Sequence, residues 1–313
     1  MTSTELSTCH ERQTSMLQFN KNARVIYRAT SILILALLLI ITITGVSSFD
    51  TSHSREFVNQ YGDTVQMWGS GIYAHDSYFK APIFIGSDLT MLLLVAPWAA
   101  ISIRKSLKEP TLENYIATYG IVSLILYYAA SLAFGVTYNA LHLAYIALFT
   151  SSLLVSFMLL AKLHAVSVLN GKVCTFNFTR GLKTFLIIAG VSLFVAWLPD
   201  IILSLVSGNS LALIEVYTTE NTYVLDMGII SPLIFLTYYL VKREDFIGYV
   251  LLRMLLKACL IIGIMLPVQT VFQLFAGIHI PVPALITKVF IFSLMALFAA
   301  YFEVHLKRET RYL

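Results

Sequence analysis

The chain has 313 residues, of which 58% are hydrophobic and 12% charged, and its mean hydropathy is +0.79. A soluble domain runs at about 45–50% apolar and about 25% charged. Too little polar surface remains here to cover a water-soluble globule, which excludes a soluble enzyme, a disordered chain and a nucleic-acid-binding module. The formal charge of +4 matters less for its size than for its placement.

Residues 1–23 form a polar tail. The first apolar run covers 25–49, with the core SILILALLLIITITGV. It exceeds the about 7–15 residues of a signal-peptide core and follows too long a tail, so it reads as a span. A bilayer core needs about 20 apolar residues in a helix. Seven further runs meet or approach that length: 82–103, 115–135, 140–163, 182–206, 223–241, 246–272 and 283–304. Lipid cannot satisfy open backbone groups, so each should be helical. The expected fold is all-α, a polytopic membrane bundle of eight transmembrane helices. Its domain covers 24–305, with a cytoplasmic tail at 306–313 and a long outer loop at 50–81.

Orientation follows from lysine and arginine near the span ends. Arg12, Lys21 and Arg24 lie in the first tail, and Arg104, Lys105 and Lys108 follow the second span. Lys172, Arg180 and Lys183 follow the fourth, Lys242 and Arg243 the sixth, and Lys307, Arg308 and Arg311 end the chain. The opposite connections carry only Arg55 and Lys80. Both termini are therefore expected in the cytoplasm of a cell-membrane protein. The second and sixth spans each place an Asp near the outer end, a Pro later and a basic pair at the exit. That likeness allows a tandem repeat of four plus four spans.

Charged side chains inside a span cost roughly 2.5–3.5 kcal/mol each and usually face the protein interior. Asp88, Asp200, Asp226 and Lys288 are each expected about 5–9 Å from the outer end of a different span, at 1.5 Å per residue. Lys257 sits near the midplane. These five are the candidate ligand- or ion-binding residues, with His75, Asp76, Asn139 and His142 in support. Lys257 is too deep to reach a headgroup layer easily, so its nitrogen is expected to point toward the outer cluster. Arg253, one turn nearer the cytoplasm, is expected to snorkel to headgroups. Trp197, Pro199 and Asp200 are expected to mark a break in the fifth span. Tyr127 and Tyr128 lie deep enough to line a cavity or to bond a neighbouring helix.

Cys9, Cys174 and Cys259 show no CxxC or Cys/His spacing and read as free thiols, with no metal or cofactor. HExxH, GxSxG and GxxxxGK[ST] are absent from the sequence, as are an arginine ladder and a TVGYG-like filter.

Gly71-Ile72-Tyr73 with Asp76-Ser77, then Gly86-x-Asp88, Tyr138-Asn139-x-Leu141, Tyr145-x-Ala147-Leu148-Phe149 and Tyr223-Val224-Leu225-Asp226 with Pro232 form one pattern. It resembles an uncharacterised family of prokaryotic multi-pass integral membrane proteins, over most of the chain from about residue 70. That resemblance implies the span layout and singles out the outer acidic residues, but it carries no activity. The family has a glutamate where this chain has Asp200. The leading expectation for function is a small-solute or ion transporter with an outward-facing acidic site, in which carboxylates bind a cation or carry a proton. Two alternatives stand beside it: a membrane sensor or accessory subunit binding a ligand or partner, and an intramembrane enzyme on a lipid-linked substrate. The expected partners are the lipid bilayer and a small solute or cation, with a homo-oligomer or an unknown membrane partner left open.

Overall fold

The structure is a computed structural model that describes residues 18–170 and 173–312, without the side chains of 169, 170, 284, 287 and 288. Most of the tail 1–23 thus lies outside the described residues. Helix α1 is Lys21–Val46, started by Asn20, whose side chain accepts from Ala23 N. An antiparallel hairpin, β1 (Arg55–Val58) and β2 (Thr64–Met67), follows in the long loop. Helices α2 (Ala81–Lys108), α3 (Leu112–Gly135), α4 (His142–Asn170), α5 (Arg180–Ser207), α6 (Asn221–Lys242) and α7 (Phe246–Phe275) come next. Strand β3 (Cys174–Thr175) precedes α5 and pairs with β4 (Arg311–Tyr312). Among the described residues, seven helices, α1 to α7, are long and apolar enough to cross a membrane. An eighth, α8, covers residues 282–309.

Apolar side chains face outward along these helices, including Ile32, Leu33, Leu94, Phe157, Val195, Leu203 and Phe298. Bands of this extent on most helices suit lipid rather than water. Inside, α7 is the hub: it packs against α2, α3, α4, α6 and α8. Its neighbours contribute the buried Ile85, Val122, Leu148 and Ala299.

Three helices are not α throughout. Each contains a π segment: Met91–Val95 in α2, Asp226–Ile230 in α6 and Leu285–Phe290 in α8. In α2 and α6 a proline, Pro97 or Pro232, is the second residue after that segment. Proline lacks the N–H and clashes with the carbonyl four residues back. Widening the preceding turn relieves that clash, and such bulges recur at functional sites. Pro199 has no such effect: α5 runs unbroken from Arg180 to Ser207. The break expected there from Trp197, Pro199 and Asp200 is therefore absent. Membrane helices tolerate a lone proline where other groups satisfy the freed carbonyl.

The helices alternate in direction, which gathers the basic segments at one end of the bundle. There Arg24 donates to Leu107 O at 3.1 Å and Tyr312 Oη to Glu113 at 2.7 Å. This is the terminal end. At the other, the hairpin end, Asn59 and Gln60 donate to the carbonyls of Glu215 and Tyr217, each at 2.8 Å. Trp68 is fully buried beneath the hairpin, its indole donating to Ser48 O at 2.9 Å.

Candidate functional site: a chain of aspartates and aromatic donors

Asp88 lies two turns into α2 and is completely enclosed. Tyr73, from the short turn Gly71–Tyr73, donates to its Oδ2 at 2.6 Å, and Tyr128 of α3 donates to Oδ1. The carboxylate fits only because residue 45 of α1 is glycine. A Cβ there would stand 1.7 Å from Asp88 Oδ2.

Asp226 opens the π segment of α6 and is 8% exposed. Tyr127 of α3 donates to its Oδ1 at 2.7 Å, and Trp197 Nε1 of α5 to its Oδ2 at 2.9 Å. Asp200, half-buried one turn beyond Trp197, accepts from Tyr223 at 2.8 Å. The rings of Trp197 and Tyr223 stack with centroids 4.8 Å apart. The arrangement is reciprocal. Each of α5 and α6 carries an aromatic donor and, three residues on, an aspartate that accepts from the other helix.

Tyr127 and Tyr128 join the two aspartates through α3, so the polar line runs from the core at Asp88 out to Asp200 at the periphery. Among the described residues, no cationic side chain makes an ion pair with Asp88 or Asp226. Their donors are neutral phenols and an indole.

Lys257 belongs to a different centre. Its Nζ lies 2.8 Å from Glu303 of α8 and donates to Arg253 O at 3.2 Å. It therefore points toward the terminal end, and the expectation that it reaches the outer aspartates is corrected. Gly120 of α3 makes room for the lysine stem, since a Cβ there would lie 2.9 Å from Lys257 Cδ. Arg253 does not snorkel either. It is 1% exposed and bonds Glu303 at 2.7 Å, Glu113 at 2.9 Å and the Tyr249 hydroxyl at 2.7 Å. Two cations and two carboxylates close this cluster. Glu303 was hard to weigh in the sequence because it sits at the very end of its apolar run.

The supporting residues separate as well. Asp76 is buried beside Thr137 and Tyr217, whereas His75 is exposed near Arg55. Asn139 donates to Tyr145 Oη at 3.3 Å, and His142 packs on the Tyr138 ring with centroids 5.5 Å apart. The side chain of Lys288 lies outside the described residues, so its place in the acidic layer is not addressed. Nor is the site open at Asp88, because Tyr73 and the loop behind it cover it. The signal that could have revealed the aromatic partners is the shared spacing Trp197-x-x-Asp200 and Tyr223-x-x-Asp226.

No family model, no curated protein and no solved structure matches this chain, so the resemblance read from its motifs has no counterpart among them. The fold and contacts define a multi-pass helical membrane protein with buried polar centres at Asp88–Asp226 and at Arg253–Lys257.

Proposed function

We propose that the protein is a membrane transporter for a small cation or for a solute coupled to a proton, with Asp88 and Asp226 as the carrying groups. The observation behind this reading is that both carboxylates are buried and, among the described residues, have only neutral donors. A carboxylate taken out of water needs a compensating charge. Here a proton or a cation from solution supplies it. The π segment that Asp226 opens, and the one that begins three residues after Asp88, add backbone irregularity beside each acid. Irregular backbone within a membrane is tolerated where it lines protein or a cavity. Asp200 stands at the outer end of the line as the entry group.

In this reading α8 completes eight spans of a domain covering 24–305, with the hairpin end outside and both termini in the cytoplasm. The paired π–proline devices of α2 and α6 support two parallel halves of four spans. Alkaline phosphatase fused after Ser54 should be active and after Lys108 inactive, and the reverse pattern overturns the orientation.

Flux is tested in proteoliposomes with imposed gradients of protons, sodium and potassium in turn, read by ion-sensitive dyes. Wild-type protein should exceed empty vesicles for at least one of them. Asp88→Asn and Asp226→Asn should each lower that flux by about tenfold or more, the equivalent of about 1.4 kcal/mol in binding. No flux above empty vesicles with any of the three ions would remove the reading.

A further inference from the structure

Asp76 lies in the segment between the hairpin and α2, outside the membrane-crossing helices, and is fully buried. Its Oδ1 accepts from Thr137 N and from the Tyr217 hydroxyl, each at 2.9 Å. One carboxylate oxygen thus ties together three segments remote in sequence: its own, the α3–α4 connection and the α5–α6 loop. The same residue reaches inward through its main chain. Asp76 N donates to Tyr73 O and Asp76 O accepts from Trp68 N, both at 2.9 Å. Tyr73 is the residue that covers Asp88.

The other oxygen is differently placed. Among the described residues, Oδ2 of Asp76 is buried without a hydrogen bond, and the neighbouring Thr137 hydroxyl is likewise buried and unbonded. Among the described residues, the charged groups around it compensate only in part, because Lys80, which favours the ionised carboxylate, is shared with Glu220. Lys80, on the same segment, pairs with Glu220 and lies 4.2 Å from the centre of the Tyr217 ring. Glu215 and Glu220 approach from the α5–α6 loop, Glu215 beside Ser77 and Lys80. Tyr145 faces Asp76 from α4, and His75 next to it points to solvent.

We infer that Asp76 is a proton-operated latch, which holds the hairpin end shut over Asp88 when protonated and frees the three segments when ionised. This regulation rests on the reading of Asp88 as the carrying site. A proton on Oδ2 supplies a donor to the closed packing and removes a buried charge that Lys80, already paired with Glu220, offsets only in part.

Burial pushes the Asp76 carboxyl up to about 7, against the lowering effect of its hydrogen bonds to Thr137 and Tyr217. Burial pushes Glu215 up as well, so it acts in the same sense. In an opened, hydrated loop the carboxyl returns to an ordinary value of about 4. The closed form therefore binds the proton more tightly. Its advantage is complete below about pH 4 and is lost as pH rises through about 7.

Ser48 is buried beneath this segment, its hydroxyl accepting from Ile72 N at 3.1 Å, and is the place to read opening. A Ser48→Cys protein with Cys9, Cys174 and Cys259 changed to serine is labelled with a maleimide across pH 5 to 9. Each rate is divided by that of the same protein in SDS, which cancels thiol ionisation. Protection should fall by about tenfold or more between pH 6 and pH 9. Asp76→Asn should stay protected throughout, and Asp76→Ala should be labelled throughout. Tyr217→Phe, which removes a donor to the ionised form, should move the transition to higher pH. Protection that ignores pH, or an unchanged transition in Asp76→Asn, overturns the latch. The readout needs no flux. A flat labelling profile with Asp88-dependent flux intact removes the latch alone, and a normal transition without flux removes the transport reading alone.

Discussion

Glu303→Ala should destabilise the protein by about 3–5 kcal/mol, the usual cost of stripping one partner from a buried ion cluster. Glu303 is the shared acceptor of Arg253 and Lys257, at 2.7 and 2.8 Å. Arg253 would keep Glu113, but Lys257 would keep only the carbonyl of Arg253. An ammonium left with a single carbonyl partner in a low-dielectric interior is the larger part of the loss. Thermal unfolding of purified protein in detergent measures it. The double change Lys257→Met with Glu303→Met should recover most of the stability, because it removes the unmatched charge along with its partner. If the double variant is no more stable than Glu303→Ala, packing rather than charge holds α7 to α8 here.

Gly45→Ala should be nearly as damaging, at about 1–3 kcal/mol for overpacking a closed core. The added methyl would stand 1.7 Å from Asp88 Oδ2, so the carboxylate must leave the Tyr73 hydroxyl or α1 must move away from α2. Both routes disturb the same site, and flux should fall together with melting temperature. Combining Gly45→Ala with Asp88→Gly separates the causes. The pair should be more stable than the sum of the single effects, since residues in contact do not act additively. Additive losses would place the strain elsewhere on α1.

The spans were legible because their signal is coarse. Twenty apolar residues in a row state a helix and a bilayer whatever their order, and the seven crossing helices fall where hydropathy puts them. Proximity was partly legible: Asp88, Asp226 and Asp200 are linked through Tyr128, Tyr127, Trp197 and Tyr223. Azimuth was not. Which face of α7 meets which neighbour depends on packing between helices far apart in sequence, and the expectation that Lys257 points toward the outer aspartates fails for that reason. The sequence offers Asp200 and Asp88 as the carboxylates nearest its depth. Only the antiparallel fit of α8 along α7 brings Glu303 level with it. The aromatic donors were hidden in a different way. Tyrosine is common here, with 17 in the chain, and nothing local distinguishes a phenol that bonds a carboxylate from one that anchors at an interface. Loops were the least readable part. Asp76 draws its meaning from Thr137 and Tyr217, which are 61 and 141 positions away.

Tyr127 and Tyr128 are consecutive residues on one rigid rod, and successive side chains on an α-helix point about 100° apart. One grips Asp226 and the other Asp88. A small turn of α3 about its own axis therefore cannot improve both grips together. A rotation toward α2 that favoured the Asp88 bond would disturb the Asp226 bond, because both donors ride on the same helix. Neither aspartate has to touch the other for occupancy at one to loosen the hold on its counterpart. If the proposed transport reading holds, this single-axis coupling makes the two acids anticooperative, and Tyr127→Phe should then strengthen cation or proton binding at Asp88 while weakening it at Asp226.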